Sequence, residues 1–66
     1  MLLQDLLQLV KIKYNKAFIQ YKSIIIKEID VDICIENNKI IIFEGNFVKL
    51  TLKNIDELKN YLLLDK

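Results

Sequence analysis

Apolar and polar positions alternate most cleanly over residues 29–36, where Ile29, Val31, Ile33 and Ile35 interleave with Asp30, Asp32, Cys34 and Glu36. A period of two predicts a strand with one apolar face. Asn37-Asn38 follows, and Asn tolerates the positive φ of a tight hairpin turn. Residues 39–44 (Lys-Ile-Ile-Ile-Phe-Glu) are β-branched and aromatic and predict a second strand. Gly45-Asn46 marks another turn, and residues 47–52 a third strand. Beyond it, Asn54 is a good N-cap with Glu57 three residues on, and Ile55, Leu58 and Leu62 recur at helical spacing.

The first 27 residues fit two patterns. As a helix over about 2–22, Leu3, Leu7, Val10, Tyr14, Ala17 and Tyr21 form one stripe and face inward, and Ile12 and Ile19 fall outside it. As a hairpin turning at Asn15-Lys16, Tyr14 would pair with Ala17, Ile12 with Ile19, and Val10 with Tyr21. The helical stripe runs unbroken from Leu3, so the helix is the expectation. The expected fold is α+β in a single domain over residues 1–66: N-terminal helix, three-stranded antiparallel β-meander, C-terminal helix.

Parity constrains the meander. Paired positions in antiparallel strands share a face, so loop length decides which faces match. Two-residue loops at both 37–38 and 45–46 would put Lys49 and Thr51 on the face of Ile40 and Ile42. One loop should therefore be odd. A three-residue loop at 44–46, with Asn46 in the left-handed region, places Ile29, Val31, Ile33, Ile35, Ile40, Ile42, Val48, Leu50 and Leu52 on the core face. Ile41, Phe43 and Phe47 then share the opposite face beside Cys34, with Phe43 and Phe47 directly paired. An odd loop at 37–39 instead moves Ile40 and Ile42 to the second face. Either solution leaves apolar residues on both faces, and both then need cover. One helix on each face would supply it. So would two helices on one face and a second molecule on the other.

Composition narrows the chemistry. The chain has 66 residues, 53% hydrophobic and 29% charged, with a net charge of +1. It has no His, Pro, Trp or Arg, one Gly and one Cys. Ser-His and Cys-His nucleophile pairs, disulfide frameworks, common zinc sites and Gly-rich phosphate loops are thereby excluded. No cofactor or small-molecule substrate is expected. Ile, Lys and Asn dominate and Gly, Ala, Arg and Pro are nearly absent, which points to AT-rich coding DNA, as in a low-GC bacterium, its phage or plasmid, or an organelle. No apolar run approaches the roughly 20 residues of a membrane span. The N-terminus lacks the charge order of a secretory signal. With an unpaired Cys, a cytoplasmic location is expected.

Three groups could carry function. Asp30, Asp32 and Glu36 share a strand face and could offer oxygen ligands, but a solvated face balanced by Lys39 and Lys49 explains them as well. Cys34 sits between two acids, which disfavours its thiolate. Lys11, Lys13, Lys16, Lys22 and Lys27 lie among Tyr14, Phe18 and Tyr21, so that residues 1–27 carry +4 and residues 28–66 carry −3. Such a segment can grip a nucleic-acid backbone. The expectation is a non-enzymatic interaction module, encoded by a phage or other mobile element. It binds itself or another protein through Ile41, Phe43 and Phe47. A small nucleic-acid-binding protein using the five lysines is the alternative.

Overall fold

The computed structural model describes residues 2–45 and 47–64. Helix α1 (Leu3–Val10) leads into β1 (Phe18–Gln20), β2 (Ser23–Ile26), β3 (Val31–Glu36), β4 (Lys39–Glu44), β5 (Phe47–Leu52) and helix α2 (Ile55–Leu62). The sheet has five antiparallel strands in the order β1-β2-β3-β4-β5.

The overall class is the expected α+β, but the three-stranded meander is overturned: two further strands come from the segment expected to be helical. Helix α1 stops at Val10. There the backbone tightens, Ile12 N–H donating to the Leu9 carbonyl and Lys13 N–H to that of Val10. The chain reverses at Tyr21-Lys22, pairing Gln20 with Ser23, Ile19 with Ile24 and Phe18 with Ile25. The competing hairpin at Asn15-Lys16 is therefore not formed either. The physical reason lies in the β-branched run 24–26. A helix over 2–22 would waste Ile19 on solvent, whereas the hairpin delivers Ile24 and Ile26 to full burial and half-buries Ile19. Tyr14 still packs against the core, but Tyr21 is 92% exposed at the turn.

The Asn37-Asn38 turn is as expected, with φ of 53° and 62°. It sets Ile35 opposite Ile40 and Ile33 opposite Ile42. Strand β3 begins at Val31, and Ile29 lies in the preceding turn, 37% exposed, instead of on the core face. The parity problem is solved by a bulge, not by an odd loop. Glu44 pairs with Phe47 and Phe43 with Val48, yet Ile42 pairs with Leu50, so Lys49 is the extra residue. The expected left-handed Asn46 lies outside the described residues.

The bulge corrects two placements. Leu50 and Leu52 join Ile42 and Ile40 on the core face as expected, but Val48 turns to the other face beside Phe43. Phe47 pairs with Glu44, not Phe43, and so leaves the face of Phe43; it is 78% exposed.

One core results. Leu6, Leu7 and Val10 of α1 and Leu58 and Leu62 of α2 share a cluster with Ile24, Ile26, Val31, Ile33, Ile40, Ile42 and Leu52. These strand residues all lie on one face of the sheet, so both helices cover that face. Helix α2 starts as its sequence indicates: the Asn54 side chain accepts from Glu57 N–H at 3.0 Å, and the Glu57 carboxylate accepts from Lys53 N–H at 3.3 Å. It ends with Leu63 at φ 57°, where Leu64 N–H reaches the Lys59 carbonyl.

Candidate interaction face

The face turned away from the helices is built by strand alternation alone. Its central row crosses all five strands: Phe18, Ile25, Asp32, Phe43 and Val48. A second row holds Gln20, Ser23, Cys34, Ile41 and Thr51. Glu36 opposite Lys39 closes the β3–β4 end. No residue of either row belongs to the helix-covered core. Phe18 is 37% and Val48 60% exposed, while Ile25, Ile41 and Phe43 are half-buried by their neighbours on the sheet.

Of the three interface candidates, Ile41 and Phe43 stand on this face in adjacent rows and Phe47 does not. Sequence reasoning missed Phe18, Ile25 and Val48. The first two depend on the unforeseen hairpin, and the third on the bulge. The β-branched run 24–26 was the one signal for β2, while Tyr21-Lys22 gave none for the turn that pairs Phe18 with Ile25.

Asp32 is the one charge in the central row. It is half-buried between Ile25 and Phe43, and among the described residues no cation pairs with it. Cys34 is a free thiol one row away. Burial first, and then the carboxylates of Glu36 and Asp32, push that thiol above its usual range, which suppresses the reactive thiolate. Asp30, expected to extend an acidic row, sits in the 27–30 turn with φ 55°. No group of three or more possible metal ligands gathers among the described residues.

The five lysines do not form one stripe. Lys22 lies in the β1–β2 turn and Lys27 just past the far end of β2. Lys11 and Lys16 are exposed on either side of the connection that follows α1. Lys13 is engaged: its ammonium donates to the Leu62 carbonyl at 3.1 Å and lies 5.6 Å from the Tyr14 ring centre. Lys27 lies 5.7 Å from the ring centre of Phe18, which places its side chain on the helix-free face.

On the helix side, a cleft of about 260 Å³ opens between the ends of the two helices and the sheet, with Lys13, Tyr14, Glu44, Lys49 and Tyr61 among its walls. Its charges are already used. Lys49, the bulge residue, bridges to Glu44 at the exposed rim and lies 5.6 Å from the Tyr61 ring centre. The Glu44 hydrogen bond holds the Lys49 ammonium above its ordinary pKa. This arrangement fastens α2 to the sheet edge and leaves no free group converging on the cavity. Among the described residues no helix is long and apolar enough to cross a membrane. No family model, curated protein or solved structure matches the chain.

Proposed function

We propose that this protein is a non-enzymatic interaction module that binds a protein surface, its own or another's, through the helix-free face of its sheet. One observation carries the reading: both helices lie on the same face, and the other presents Phe18, Ile25, Ile41, Phe43 and Val48 to the surroundings. A sheet with apolar residues on both faces gains by being covered on both, since apolar burial is worth about 25 cal/mol per Å². The unpaired Cys34 fits a cytoplasmic setting. The AT-rich residue usage fits a phage or other mobile element.

Nucleic-acid binding is supported less well, because Lys13 is engaged at α2 and Lys22 and Lys27 stand at opposite ends of β2. Steep loss of affinity for generic DNA or RNA with added salt would revive it.

The test of the main reading is Phe43→Glu. Phe43 lies outside the core, so the variant should keep its far-UV circular dichroism and cooperative unfolding. It should lose binding of an apolar-surface dye and any association seen for the natural chain. Outright unfolding would assign Phe43 to the domain's own stability and sink the interface reading.

A further inference from the structure

We propose that one end of this molecule docks on the surface of an anionic lipid bilayer, resting in the headgroup layer without crossing it. Its apolar residues are not those of the helix-free face. Four segments meet at that end: the connection after α1, the β2–β3 turn, the β4–β5 turn and the C-terminal end of α2. The Lys13 ammonium on the Leu62 carbonyl joins the first to the last. Gly45 N–H donates to the Asp30 carbonyl at 3.4 Å and joins the two turns. The cleft walled by Lys13, Ile29, Lys49 and Leu63 lies among all four. Each segment exposes one large apolar side chain: Ile12, Ile29, Phe47 and Leu63, with Ile12 at 73% and Phe47 at 78%. Among the described residues, the other exposed large apolar side chains are Phe18 and Val48 of the helix-free face, Leu2 before α1, and Tyr21 at the opposite end of β1.

Charge selects the occupant. This end carries Lys11, Lys13, Lys16, Lys27 and Lys49 against Glu28, Asp30 and Glu44. Lys49 and Glu44 pair with each other, which leaves four lysines facing two carboxylates. A leaflet rich in anionic headgroups attracts such an excess. Lysine also suits the position because its stem lies along apolar surface while the ammonium stays at the phosphates. Tyr14 and Tyr61, half-buried in the cleft wall, are of the ring type that gathers at bilayer interfaces.

Shape selects it too. A protein-binding patch is apolar and poor in Lys, Glu and Asp at its centre. Here Ile12 stands between Lys11 and Lys13, and Ile29 between Glu28 and Asp30. The apolar side chains are therefore separate tips around an open cleft, not one flat face. Separate tips need no matching surface. Each can enter the soft headgroup layer, to a depth of roughly 5–10 Å, while its charged neighbours stay wet. With the strand ends on the bilayer, both faces of the sheet stand away from it. The helix-free face then stays open to a protein partner.

The experiment is co-sedimentation of the full chain with lipid vesicles at low salt, with circular dichroism confirming the fold of each variant. The natural chain should bind vesicles of mixed phosphatidylcholine and phosphatidylserine, and bind phosphatidylcholine alone roughly tenfold less well. Added salt should weaken the binding. The double variant Ile12→Asp with Phe47→Asp should lose roughly tenfold or more, and both positions are exposed, so it should still fold. Phe43→Glu, on the helix-free face, should bind vesicles as the natural chain does. The chain has no Trp, so Phe47→Trp gives a single reporter whose emission should shift to the blue as phosphatidylserine vesicles are added. No binding at low salt overturns the proposal, and so does binding that ignores phosphatidylserine or survives the double substitution. Binding without a blue shift also overturns it, since the tips would then lie outside the bilayer. If no vesicle binds and the natural chain self-associates through Ile12 and Phe47, the patch is a contact between copies and not a lipid anchor. Dye binding and association lost in Phe43→Glu report on the helix-free face alone, so either idea can fall without the other.

Discussion

Tyr21 stands with φ 58° at the tip of the β1–β2 hairpin, where a side chain with a Cβ is strained and a ring gains nothing in return because it is 92% exposed. Positive φ at both Asn37 and Asn38 falls on the residue type that tolerates it, whereas in the β1–β2 turn Tyr21 alone has it. Tyr21→Asn should therefore stabilise the fold by roughly 0.5–1 kcal/mol, read as a rise in the midpoint of urea or thermal unfolding. A fall in the midpoint would mean that the ring makes a contact the free chain depends on. This position also explains why the hairpin was hard to read. Tyr-Lys is not a turn signal, whereas Asn15-Lys16 resembles one, so local chemistry pointed to the wrong place for the reversal.

At the scale of the element, β5 is the instructive strand. Its neighbours on the core face, Leu50 and Leu52, follow from alternation. Val48 escapes that pattern because Lys49 is an inserted residue that opposes nothing on β4. Removing Lys49 should leave Phe43 opposite Val48 and Ile42 opposite Leu50 in a regular ladder. The deletion should then fold with unchanged far-UV circular dichroism and lose little beyond the exposed pair with Glu44. Removing Thr51 instead reverses the direction of Leu52 relative to Leu50 and takes a buried leucine out of the core. That variant should be destabilised by about 2 kcal/mol or more, or fail to fold. Equal damage from the two deletions would show that the bulge is not what sets the register. Helix α2 contrasts with β5. Its cap at Asn54 and its buried Leu58 and Leu62 were all legible, since capping and helical spacing are local properties.

Across the whole molecule, the two faces of one sheet differ in what they contribute. A 66-residue domain buries a modest share of its surface, and its margin is roughly 3–10 kcal/mol. Ile33 is fully buried in the central strand, and Ile25, on the neighbouring strand, faces away from the helices. Ile33→Ala should cost about 2–5 kcal/mol, a large part of the margin, as a cavity opens in the packed layer. Ile25→Ala leaves no closed cavity and should cost the monomer about 1 kcal/mol. Urea unfolding of the two variants at concentrations where the natural chain is monomeric makes the comparison. A cost for Ile25→Ala equal to that of Ile33→Ala would show that the face is already covered from within the chain.

Three strands, the Asn37-Asn38 turn and the capped C-terminal helix are determined by the sequence itself. Each rests on interactions between residues close in the chain: alternation over Val31 to Ile35, positive φ at two asparagines, a side-chain cap three residues from its donor. Residues 11–26 had no such local arbiter. The helical stripe through Leu3, Leu7 and Val10 extends in pattern to Tyr21, and only the existence of a sheet edge on β3 makes the hairpin better. Once Ile24 can pair with Ile33 and Ile26 with Val31, burying them outweighs continuing the helix. The outer face was half legible for the same reason. Ile41 and Phe43 share it through alternation along β4, but Phe18 and Ile25 reach it only once β1 and β2 pair in a hairpin and β2 adds to β3, and Val48 only through the bulge. That both helices gather on one side, leaving the other open, is a choice between two equally patterned covers. Tertiary packing decided it, because a single shared core buries both apolar helix stripes against the one face that is aliphatic throughout its central rows.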